Sequence, residues 1–127
     1  MRIVHLFLVL FLLTACGSDY GHEVRGGDLT VYFLDQKDQG IAEKIARFWK
    51  DNGLTTGKKQ DLQLSSGEKW YTLKMIARDP KSTKAMGFNE RKALLDLQSQ
   101  LQSELKIENL QIVICNAKFE EVYNINE

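Results

Sequence analysis

Of the side chains that most often carry covalent or metal chemistry, this 127-residue chain holds two cysteines and two histidines, at Cys16, Cys115, His5 and His22. A serine or cysteine nucleophile needs a positioned base, most often histidine. His5 stands in an apolar run and His22 in a glycine-rich stretch, so no conventional triad is expected. A structural zinc site wants four Cys or His ligands, more than the chain beyond Cys16 supplies. DQKDQG, residues 35–40, has carboxylates at loop positions 1 and 4 where a calcium loop uses 1, 3 and 5, and Ala46 stands where that loop requires Glu. Asp35 and Asp38 fit helix capping better. GLTTGKK, residues 53–59, has three residues between its glycines where a phosphate loop has four, and it follows a predicted helix instead of opening one. Glu120 and Glu121 are neighbours on a predicted strand, so they point to opposite faces and cannot converge as a glycosidase pair. No cofactor or metal is expected from these residues.

Cys16 is set apart by what precedes it. Arg2 is followed by IVHLFLVLFLL, residues 3–13, apolar apart from His5. As a helix that run would rise about 16 Å, against about 30 Å of hydrocarbon in a bilayer. It is too short to span and has the layout of an export signal. At its end stands L-T-A-C, residues 13–16. This motif resembles the bacterial lipobox, in which an aliphatic residue and two small ones precede a cysteine. A thiolate is the natural acceptor for a diacylglyceryl group, and Thr14 and Ala15 are small enough for a tight peptidase site. The resemblance implies that residues 1–15 are a signal peptide, that cleavage falls before Cys16, and that acyl chains are carried there. Two or three such chains hold a protein firmly to a membrane. Two alternatives stand beside it: Ala15 and Gly17 also frame an A-x-G site for release of a soluble secreted protein, or the segment stays uncleaved. In the lipoprotein class an Asp directly after the cysteine can signal inner-membrane retention. Here that residue is Gly17, so the outer membrane is favoured where the source has two.

Loss of Arg2 leaves the mature chain one charge negative at neutral pH. Such a balance gives no reason to expect nucleic acid as a partner. With Cys16 acylated, Cys115 has no cysteine to pair with. Residues 16–27, with glycines at 17, 21, 26 and 27, read as a flexible lipidated tether ahead of a single domain over residues 28–127. His22 in that tether lacks the fixed partners a metal ligand or pH switch needs.

The elements of that domain follow from periodicity. LTVYFL, residues 29–34, reads as a strand, and Ile41, Ala42, Ile45, Phe48 and Trp49 mark one face of a helix that Gly53 can close. Residues 61–77 alternate on either side of SSGE and read as a hairpin. A second helix over residues 87–105 has Asn89 to cap it, Phe88 and Ala93 as a hydrophobic staple, and Leu94, Leu97, Leu101 and Leu105 as its seam. LQIVIC, residues 110–115, is a strand, and residues 118–125 alternate as another, with Phe119 in register with Glu121, Tyr123 and Ile125.

The element order is β-α-β-β-α-β-β, an α+β class. It resembles the ferredoxin-like plait with an extra C-terminal strand, two helices covering one face of a mainly antiparallel sheet and residues 61–65 at an edge. That fold implies little about function. The expected role is a non-catalytic binding or assembly module of the cell envelope, partnered by the membrane and by another envelope protein. The alternative is a small envelope enzyme whose carboxylates or lysines only the fold gathers. Cys115 is expected on the sheet face away from the helices, shielded and slow to react.

Overall fold

The structure is a computed structural model and describes residues 20–77 and 86–127. Residues 1–15 and the expected lipid site Cys16 lie outside the described residues. Along the chain come β1 (His22–Gly26), β2 (Leu29–Phe33), a 3₁₀ turn (Gln36–Asp38), α1 (Gln39–Asp51), β3 (Gln60–Ser66), β4 (Tyr71–Ile76), α2 (Phe88–Leu105), β5 (Leu110–Cys115) and β6 (Glu121–Asn124).

Strand alternation builds the core directly. Val31, Leu62, Met75 and Ile114 form one cross-strand row, and Phe33, Leu64, Leu73 and Ile112 form the next. Ala42, Ile45, Phe48 and Trp49 of α1 and Leu101 and Leu105 of α2 fill the same core, so both helices cover one face of the sheet. Each fully buried Leu or Ile contributes about 1.5–3 kcal/mol of transfer free energy. Trp49 and Gly53 close α1 together: Leu54 N donates to Trp49 O at 2.9 Å and Gly53 N to Lys50 O at 3.2 Å, with Gly53 at φ +65°. That is the double bond of a Schellman cap, and its left-handed residue is the expected glycine.

The six strands lie in consecutive order, β1-β2-β3-β4-β5-β6. Pairing is antiparallel for β1/β2, β3/β4 and β5/β6 and parallel for β2/β3 and β4/β5. The class is α+β with a mixed sheet, and the extra C-terminal strand pairs with its predecessor as expected. The finer plait does not follow. A split β-α-β interleaves a strand between the two that each crossover joins, whereas here both crossovers join neighbours. β3 therefore sits between β2 and β4 instead of at an edge, and the edges are β1 and β6. Hydrophobic periodicity reports which face of a strand is buried and is silent about lateral order, which explains the difference.

Three local expectations also give way. The flexible tether expected over residues 16–27 does not hold for its second half, because His22–Gly26 is a strand joined to β2 through Gly27 and Asp28. Gly27 alone of that pair has positive φ, at +63°, as the first central residue of a II′ hairpin turn requires. Asn89 does not cap α2: the helix starts at Phe88 with Gly87 as its N-cap and no side-chain bond there. Phe88 is 81% exposed and makes no staple. In the seam, Leu101 and Leu105 are buried while Leu94 and Leu97 are half-buried.

Candidate functional site

The sheet face turned away from the helices gathers the chemistry that the core face lacks. Thr30, Tyr32, Asp61, Gln63, Lys74, Val113 and Cys115 alternate with core residues and lie on this side. Two chain segments partly cover it. Tyr20, the first described residue, crosses above β3, where its carbonyl accepts a hydrogen bond from Gln63 Nε2 at 3.0 Å. Its ring meets Tyr32 and Phe119 edge-on, with centroids 5.5 and 5.2 Å away.

Phe119 arrives there from the β5–β6 turn. Phe119 N donates to Asn116 O at 3.0 Å, and Asn116 Oδ1 accepts from Lys118 N at 2.9 Å and Glu120 N at 3.0 Å. The turn ends with Phe119 at φ +60° and an irregular register between Ile114 and Cys115. This is a turn followed by a left-handed bulge residue, a place that usually holds glycine. A bulky side chain in that conformation costs roughly 1–2 kcal/mol, offset by burial of the ring against Tyr20 and Tyr32. Phe119 is thus in the turn and not in the alternation of β6, as the sequence had led one to expect.

Cys115 is fully buried beneath this cover. Burial pushes its thiol from 9.0 up to about 11, opposed by the Lys74 ammonium and reinforced by the Glu121 carboxylate. Tyr32 is also raised, by burial first and then by Asp61. A thiol held protonated is a poor nucleophile. The expectation of a shielded cysteine on this face agrees with its place in the fold.

The other sequence candidates are scattered. His22 lies on the edge strand β1, its ring 5.3 Å from that of Phe33. Asp35 caps the 3₁₀ turn through Lys37 N at 3.1 Å, as expected. Asp38 does not cap: it is buried and accepts a 2.7 Å hydrogen bond from Ser66 Oγ, tying the start of α1 to the end of β3. Glu120 accepts from Asn116 Nδ2 within the turn, and Glu121 begins β6 opposite Cys115. Residues 53–59 lead into β3 and not into a helix. Among the described residues no group of three His, Cys, Asp or Glu is placed to hold a metal, and no helix is long and apolar enough to cross a membrane.

Sequence reasoning missed two further features. An open cleft of about 350 Å³ runs between the C-terminal parts of the helices, where Lys44, Arg47 and Asp51 of α1 face Glu104 and Lys106 across Phe48 and Leu105. Its charges have both signs. Gln98 of α2 is the second. Its Oε1 accepts from the buried Ile112 N at 2.8 Å and its Nε2 donates to Asn126 Oδ1 at 2.8 Å, completing β5 where β6 has already ended. A glutamine inside a leucine seam was the available signal, since a buried amide needs partners. No protein-family model, no curated protein and no solved structure matches this chain.

Proposed function

We propose that this protein is a lipid-anchored extracytoplasmic module of the bacterial cell envelope, acylated on Cys16, which binds another envelope protein. The observation that carries the reading is L-T-A-C at residues 13–16 behind Arg2 and an eleven-residue apolar run. Gly17 after the cysteine favours the outer membrane where there are two. The module reading is preferred to a small enzyme because the two described groups with displaced titration, Tyr32 and Cys115, are both raised chiefly by burial. Active sites instead gather such groups inside a cleft, and neither residue lines the cleft between the helices. Labelling of cells with a clickable palmitate tests the anchor: the wild type takes the label, and Cys16→Ser loses it while keeping its signal segment. Equal labelling of the two would contradict the proposal. Cross-linking in the intact envelope tests the module, with a defined protein adduct expected for the anchored chain and lost for a soluble form that begins after Cys16.

A further inference from the structure

We infer that the sheet face opposite the helices is turned toward the lipid headgroups, with Leu34 and Trp70 entering the interface. The inference rests on acylation of Cys16 and adds the orientation that acylation imposes. Tyr20, the first described residue, lies above the middle of the sheet, bonded to Gln63 and edge-on to Tyr32 and Phe119. Between Cys16 and Tyr20 lie four Cα–Cα steps, and four residues extend at most roughly 14 Å. The helix layer stands on the far side of the sheet, and a helix with its side chains is itself about 10–12 Å thick. A tether that short, starting from the open face, brings that face to the membrane and holds the helix layer away from it.

The side chains on that side fit a lipid surface. Leu34 is 52% exposed and Trp70 49%. Leu34 continues the alternation of Tyr32, and Trp70 that of Thr72, so both belong to the open face. Leu34 also flanks the chain exit: its Cδ2 is 3.2 Å from the point a Cβ on Gly21 would occupy. Trp is favoured at membrane interfaces, where an apolar ring and a polar N–H are both accommodated. Lys69, beside Trp70 in the same turn, is exposed and offers a cation to anionic headgroups.

The chain has two tryptophans, and Trp49 is buried in the core, which makes fluorescence quenching selective. Full-length lipidated protein is purified from membranes, checked for the palmitate label, and reconstituted into phosphatidylethanolamine–phosphatidylglycerol vesicles with a nitroxide carried at the headgroup. The Trp70 signal, taken as the difference between wild type and Trp70→Phe, is compared with a reporter on the helix layer, Phe88→Trp in the Trp70→Phe background. Several-fold stronger quenching of Trp70 than of the tryptophan at position 88 is expected. A labelled protein in which the two are quenched alike, or in the opposite order, overturns this orientation alone and points to a protein partner on the open face. An unlabelled protein overturns the orientation and the anchor together.

Discussion

The two faces of the sheet are made from the same strands and solve different problems. On the helix side, Val31, Leu62, Met75 and Ile114 form an unbroken apolar row that two helices must cover. On the other side the corresponding row holds Tyr32, Gln63, Lys74 and Val113, and its cover is two short pieces of chain with one aromatic ring each. The first face is held by area, the second by a few directed contacts. Substitutions should therefore cost most under the helices, and on the open face they should reveal conformation and titration more than bulk stability.

The largest effect is expected for Leu101→Ala, which empties a fully buried site beneath α2. Chemical denaturation should show a loss of about 2–5 kcal/mol, and a loss no larger than that of an open-face substitution such as Thr72→Ala would break the comparison. Gln98→Ala strands the buried Ile112 N–H, and a loss of about 1–3 kcal/mol is expected by the same assay.

On the open face Cys115 sharpens the contrast through pH. Its thiol is neutral up to about 11 when folded, against 9.0 for an ordinary one. The unfolded chain loses the proton first, so this contribution to stability is complete below pH 9 and is lost as pH rises from about 9 to about 11. The whole effect is about 3 kcal/mol, since each of the two units is worth about 1.4 kcal/mol. Cys115→Ser should flatten the stability profile in that window relative to wild type. The smallest difference concerns Phe119. Both Phe119→Ala and Phe119→Gly lose the ring, but glycine accepts φ +60° without strain, so the glycine variant should be the more stable by about 1 kcal/mol. The reverse order, read from thermal melts, would mean that the turn has relaxed.

How much of this was legible in the sequence depended on what kind of signal each feature leaves. The strand over residues 110–115 was readable to its ends because Ile112, Val113 and Ile114 at its centre are apolar and β-branched, and the α1 stripe and its Gly53 cap were equally plain. β1 escaped because HEVRG has one apolar residue to alternate with, although Gly27-Asp28 ahead of LTVYF is a hairpin signal in its own right. Lateral strand order left no trace, and the interleaved plait was borrowed from element order alone. Of the candidate site, the sheet face that carries Cys115 followed from period-two alternation. The Tyr20–Tyr32–Phe119 cluster did not, because it joins residues far apart in sequence through a left-handed turn residue that no local preference announces.

The proposed anchor and the proposed orientation both require an acylated Cys16 at the start of the mature chain. Intact-mass spectrometry of the protein extracted from membranes, with sequencing of its N-terminal peptide, addresses this requirement most directly. The account predicts a chain of residues 16–127 whose first residue, Cys16, carries a diacylglyceryl group. An unmodified chain, or one that still begins at Met1, would contradict it.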